Sequence, residues 1–166
     1  MADPYLLGID IGTYESKGVL VDAAGEVAAS AAVGHDLSTP HPGWFEHDAE
    51  AVWWHDFVFL CRRLLAESGV PPQRIAAVGC SAIGPCVLPI DAAGRALRPA
   101  ILYGIDTRAA GEVAELEREL GAERVLTHSA VRLSSQAAGP KILWVRRHEP
   151  EVWAHTATIL TGSGYL

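Results

Sequence analysis

Apolar positions first run together and then alternate. The stretch from Tyr5 to Asp22, YLLGIDIGTYESKGVLVD, opens with an apolar strand that stops on Asp10. It bends through a turn rich in glycine and hydroxyl groups (Gly12, Thr13, Tyr14, Ser16) and resumes as a second apolar strand from Val19 to Val21. Asp22-Ala23-Ala24-Gly25 has Asp at the start of a turn and Gly where a left-handed residue is wanted, so it predicts a reversal into a third strand, Glu26 to about Val33. The three strands form an antiparallel meander. After a loop of prolines and histidines from His35 to Pro42 the period becomes helical. Val52, Trp53, Phe57, Leu60, Cys61, Leu64 and Leu65 share one face, with Asp48 placed to cap the helix and Ser68-Gly69-Val70-Pro71-Pro72 to stop it.

A short apolar strand, Ile75 to Cys80, follows this crossover helix and is expected to join the sheet in parallel. Ser81 to Pro85 interrupts at its carboxyl end, and Cys86 to Ile90 resumes as a strand. Asp91-Ala92-Ala93-Gly94 reuses the earlier turn. Ile101 to Gly104 reads as another short strand ending in Asp106-Thr107-Arg108. The next helical run turns Val113, Leu116 and Leu120 inward, and Gly121 ends it. A short helix is expected near Glu123 to His128, a third helical run over Lys141 to His148, a further turn from Pro150 through Trp153, and a strand from Thr158 to Leu160. These elements make a mixed α/β layer structure. Neither GxGxxG nor GxxxxGK[ST] occurs, which argues against a dinucleotide-binding unit and a P-loop ATPase.

Composition narrows the partners. The 166 residues carry a formal net charge of -7 and have no basic run, so nucleic acid is not expected as the principal ligand. Mean hydropathy is +0.17, yet no apolar segment reaches the roughly 20 residues of a membrane span, and no membrane partner is expected. The start, MADPYLL, lacks a basic leader region, and Cys61, Cys80 and Cys86 form no CxxC pair. Both features point to reduced thiols in the cytoplasm. Leu160 to Leu166 closes on no element, which leads us to expect a part of a longer protein.

The candidate chemistry lies at strand ends. A buried strand that stops on Asp10 and bends at a glycine places a carboxylate beside backbone N–H groups, a pattern that suits a phosphate bridged through Mg²⁺. The same residues also make an ordinary hairpin in which Asp10 and Thr13 satisfy turn amides. Lys17 either neutralises phosphate or pairs with Glu15. Asp106 and Arg108 follow a buried strand, where they either meet a ligand as acceptor and donor or belong to the start of the next helix, with Asp106 or Thr107 as its cap. Ser81, Gly84 and Tyr103 are weaker pocket candidates. Trp44 and Glu46 are expected to hold a loop, and Trp144 and Trp153 to pack. The histidines show no metal-site spacing, and His128, His148 and His155 read as helix-surface residues.

Four stretches in order resemble the FGGY carbohydrate kinases, and among them the xylulose kinases. They are Asp10-Ile11-Gly12-Thr13 with Lys17; Gly43 to Asp48 with Trp53-Trp54; Pro99 to Arg108; and Pro140 to Val145 with Arg147 to Glu151. The similarity covers essentially the whole chain. It implies a ribonuclease H-like, actin-like ATPase fold, a mixed sheet with helices on both faces, of which residues 1–166 are the front part of the N-terminal domain. It implies an ATP- and Mg²⁺-dependent transfer of the γ-phosphate to a hydroxyl of a sugar or polyol. Asp10 would serve the metal, Gly12, Thr13 and Lys17 the phosphates, and Asp106, Arg108, Tyr103, Gly84, Pro85 and Ser81 the sugar. The general base and the second, nucleotide-binding domain would lie beyond residue 166, so the chain alone would be inactive. Many members are dimers, which leaves a homodimer open.

The chain also departs from the family. Ile83-Gly84-Pro85-Cys86 stands where xylulose kinases carry Gln-Met-His-Gly, whose Met-His pair touches the sugar. Tyr103 replaces a tryptophan, and Gly164 replaces a frequent aspartate. A site built to hydrogen-bond a substrate discriminates by orders of magnitude, so D-xylulose is not expected as the preferred acceptor. The competing reading is a non-catalytic sugar-binding or regulatory protein on half of an actin-like fold.

Overall fold

The computed structural model describes residues 3–166. Strands β1 (Tyr5–Ile11), β2 (Glu15–Asp22) and β3 (Val27–Gly34) form the expected meander, and β4 (Glu46–His47) follows the loop. A π-helical turn, Ala49–Trp54, leads into α1 (His55–Ser68), and a 3-10 turn at Pro72–Arg74 precedes β5 (Ile75–Ala82). Two short strands come next, β6 (Leu88–Ile90) and β7 (Ala100–Ile101). The helices α2 (Ala110–Leu120), α3 (Ala122–Ser129), α4 (Ala138–His148) and α5 (Pro150–His155) follow. Strand β8 (Thr158–Leu160) and the single turn α6 (Gly162–Tyr165) complete the order. Among the described residues no helix is long and apolar enough to cross a membrane.

The chain divides into two compact units. The first comprises residues 3–37, 49–83 and 162–166. Its sheet runs β3-β2-β1-β5, antiparallel through the meander and parallel between β1 and β5. Both Asp-Ala-Ala-Gly turns of the chain have the same geometry. In this unit Asp22 Oδ1 accepts from the Ala24 and Glu26 N–H groups, and Gly25 takes φ 88°. Helix α1 buries Leu60 and Leu64 against one face of the sheet, over Leu7, Ile9, Ile11 and Leu20. The approach is close at Gly18, where a Cβ would come within 2.9 Å of both Ile9 and Leu64 side chains. The helix ends where expected, with Gly69 at φ 68° donating to the Leu65 carbonyl. At the helix start, however, the side chain buried on the inward face is Asp56. Its Oδ2 accepts from the Ser16 hydroxyl at 2.7 Å and meets His35 Nδ1 at 2.7 Å, which ties α1 to β2 and to the end of β3. The first turn of α1 has no side-chain cap.

The second unit comprises residues 38–48 and 84–161. Strand β4 pairs antiparallel with β7, and β6 with β8. The strand expected over Ile101 to Gly104 is shorter than its apolar pattern. Pairing ends at Ile101, because Gly104, at φ 71°, turns the chain towards Ser135. Its core gathers Val87, Ile101, Ala109, Trp144 and Val145. Leu120, expected inward, is 48 % exposed. In its helix Glu112 is buried instead and faces His148 Nε2 at 3.2 Å. Beside this core lies a buried ionic cluster. The Arg108 guanidinium donates to both oxygens of Asp106 and to Glu46 Oε1, and it lies over Trp44 (4.3 Å to the ring centroid) and Trp144 (5.2 Å). Arg98 joins through Glu46 and Glu149.

Two stability predictions follow from these buried groups. Asp56→Ala strands the Ser16 hydroxyl and the His35 ring in the interior and should lower stability by about 3 kcal/mol. A urea midpoint unchanged from the parent chain would contradict this. Arg108→Met leaves the buried Asp106 carboxylate without its cation and Glu46 with Arg98 alone, and should cost about 3–5 kcal/mol. Arg108→Lys keeps the charge but loses the planar fork and the indole contacts, so it should recover only part of that loss. Full recovery in denaturant unfolding would mean that charge alone holds the cluster.

Candidate functional site

In the first unit the alternation of β1 sends Leu7, Ile9 and Ile11 towards α1 and leaves Asp10 exposed on the opposite face. The register sets Asp10 opposite Ser81 on β5 and Lys17 on β2. The Ser81 hydroxyl donates to Asp10 Oδ1. A shallow depression of about 490 Å³ runs along Gly8, Asp10, Lys17, Val19, Gly79 and Ser81. Gly8 and Gly79 keep its floor low. Lys17 Nζ lies 3.2 Å from Glu15, and both side chains are largely exposed. At the hairpin tip the Gly12 N–H donates to the Glu15 carbonyl at 3.2 Å, and a Cβ at position 12 would strike that same oxygen. The glycine is therefore required by the turn itself. Its amide is spent there and does not belong to a free nest. Thr13 is half-buried at the same tip.

One exposed carboxylate, oriented by a serine hydroxyl at the carboxyl ends of two parallel strands, suits a divalent ion that keeps most of its water and takes its other ligands from phosphate. Asp10 is the residue here that fits Mg²⁺ in that way. Among the described residues no group of three or more His, Cys, Asp or Glu is arranged to hold a metal ion.

The remaining candidates belong to the second unit. Gly84 is packed flat under Tyr103, where a Cβ would lie 2.9–3.1 Å from the ring. Pro85 is exposed beside it. The buried Cys86 donates its N–H to the Gly84 carbonyl at 2.6 Å, and burial pushes its thiol up to about 11. Gly104 is held on both sides by Ser135, whose carbonyl accepts from its N–H at 3.0 Å and whose hydroxyl donates to its carbonyl at 2.5 Å. Asp106 is fully buried. Its oxygens accept from the Phe45 N–H at 2.7 Å and from the Arg108 backbone and guanidinium, so the Asp106–Arg108 pair is engaged internally. Neither Asp106 nor Thr107 caps α2 through its side chain.

Of the candidate residues, Asp10, Lys17 and Ser81 meet in the first unit and Gly84, Pro85 and Tyr103 in the second, and Asp56 and Lys141 were not among them. Asp56 was hidden because a carboxylate inside an amphipathic helical run reads as a surface residue. Lys141 was passed over as the first residue of a helix, yet it is 1 % exposed and donates to the Ser135 carbonyl. The apolar neighbours on both sides of Lys141 were the available signal.

The chain is similar to the xylulose kinase of Escherichia coli K12, at 36 % identity over 160 residues, or 96 % of this chain and 32 % of that protein. It is similar to the glycerol kinase of Nocardia farcinica at 33 % identity, covering 89 % of this chain and 29 % of that protein. The crystal structure of xylulose kinase from Rhodospirillum rubrum superposes with a TM-score of 0.90 at 32 % identity, over 97 % of this chain and 33 % of that one. The chain therefore spans about a third of the length of the relatives it matches. Its architecture is that of these kinases, an α/β mixed sheet of the ribonuclease H-like, actin-like ATPase type. Residues 5–166 match the N-terminal domain of the FGGY family of carbohydrate kinases, and the chain belongs to that family.

Proposed function

We propose that these residues are the front part of the N-terminal domain of an ATP-dependent kinase that phosphorylates a hydroxyl of a sugar or polyol. The observation that carries this reading is the Asp10–Ser81 pair at the strand ends, in a chain matching the family from residue 5 to 166. Asp10 is the group that would hold Mg²⁺, with Ser81 fixing the orientation of its carboxylate. When bound, Mg²⁺ neutralises charge on the transferring phosphate. Thr13 at the hairpin tip and Lys17 on the same face as Asp10 are the neighbouring groups for phosphate. Tyr103 over Gly84, with Pro85, supplies an aromatic wall for the acceptor. The engaged Asp106 and Arg108 act as positioning residues that hold the segment carrying Tyr103.

Positioning and electrostatics in a closed cleft dominate phosphoryl transfer. Relatives about three times as long supply parts that 166 residues do not. Purified residues 1–166 with Mg²⁺, ATP and a sugar panel are therefore expected to form ADP at less than about 10⁻² s⁻¹. Sugar-dependent turnover near ~1 s⁻¹ that disappears in Asp10→Ala would show the site to be complete within this chain.

When residues 1–166 replace the corresponding third of the Escherichia coli xylulose kinase, sugar-dependent ADP formation should persist and fall by about 10²–10⁴ on Asp10→Ala. Gly84 and Pro85 offer no side-chain donor, so a panel of ketoses and polyols should show an optimum other than D-xylulose. An optimum at D-xylulose would overturn that expectation.

A further inference from the structure

Lys141 sits in the first turn of α4 with its side chain in the interior of the second unit. Its ammonium carries three protons and donates to the neutral Ser135 carbonyl. Among the described residues no carboxylate lies within 4.0 Å of it. The nearby Asp106 carboxylate is taken up by Arg108 and the Phe45 N–H. Burial pushes the Lys141 pKa down, opposed by Asp106 and Cys86. An interior cation answered by one carbonyl is costly unless an anion reaches it.

A cavity of about 260 Å³ has Lys141 in its lining. Lys141, Ser134 and Ser135 line its polar side, Ala110, Val113 and Pro140 its apolar side, and Asp106 also borders it. The Ser134 hydroxyl accepts from the Gln136 N–H at 3.2 Å and keeps its own proton to donate. At about 30 Å³ per water-sized group, the space takes roughly eight non-hydrogen atoms. One positive charge matches one negative charge. A dianion such as phosphate would bring excess charge against Asp106 and would leave the apolar wall uncovered.

We propose that this cavity binds a small monocarboxylate of about three to six carbons, its carboxylate paired with the Lys141 ammonium and the Ser134 hydroxyl and its carbon chain on Ala110, Val113 and Pro140. This site uses neither Asp10 nor the Tyr103 ring, but it shares Asp106 and Ser135 with the segment that carries Tyr103.

The test is thermal unfolding of the 166-residue chain in butyrate, chloride or inorganic phosphate at equal ionic strength. A hundredfold excess of butyrate over its Kd should raise Tm by about 5–10 °C relative to chloride, and phosphate should match chloride. Lys141→Met should abolish the butyrate shift. Val113→Phe, which fills the cavity and retains the lysine, should abolish it as well. Should either variant fail to fold, the other decides. Saturation-transfer NMR between butyrate methyls and the parent chain gives a reading that needs no variant. Equal melting in butyrate and chloride, a shift that survives in a folded variant, or no transfer to butyrate overturns the proposal.

Discussion

The second unit depends on a guanidinium packed against two indoles. Arg108 can be buried because Asp106 and Glu46 neutralise it, and because Trp44 and Trp144 present the aromatic faces that a planar, weakly hydrated cation accepts. Those partners come from three separated stretches: the loop around β4, the turn after β7, and α4. Removing one partner leaves the others charged and dry, so the three stretches are bound into one cooperative piece. The aromatic wall at Tyr103 and the cavity beside Lys141 take their positions from it.

Six of the residues that carry the resemblance to the carbohydrate kinases are members of this clamp. Trp44, Glu46, Asp106, Arg108, Trp144 and Glu149 recur in three of the four recognisable stretches, and the structure brings them together in the interior. A motif made of ligand-like residue types therefore serves two ends. Asp10 faces outward on a sheet, as a ligand group must, whereas Asp106 is spent on its neighbours. Residue type is the same in both cases, and burial separates them.

This also explains what could be read from the chain. The meander, both Asp-Ala-Ala-Gly turns, the helix stop at Gly69 and the parallel entry of β5 rest on local chemistry, in which a side chain answers to a backbone two to four residues away, or on the handedness of a crossover. They were legible. The inward Asp56, the buried Glu112 in place of Leu120, the early end of β7 and the interior Lys141 depend on partners between 6 and 40 residues away. Periodicity has no access to those partners. At the candidate site, Asp10 was visible as the last polar residue of an apolar strand, but the Ser81 contact followed only from the register of β1 on β5.

The connectivity of the first unit bears on the order in which the molecule assembles. Its chain departs at Ile83 and rejoins it at Gly162, where a Cβ would come within 2.7 Å of Ala82 and where Tyr165 reaches Glu50 at 2.8 Å. Everything from Gly84 to Thr161 is in effect an insertion. Closing so long a loop carries an entropic toll that grows only slowly with length, so the insertion is thermodynamically tolerable but kinetically late. During synthesis the meander and α1 can form from neighbours in sequence. The carboxyl end of β5, just past Ser81, is packed at Ala82 by a segment some eighty residues on. The Asp10–Ser81 pair is therefore set by strand pairing within residues 5–82, and the packing on Ala82 is added from far down the chain.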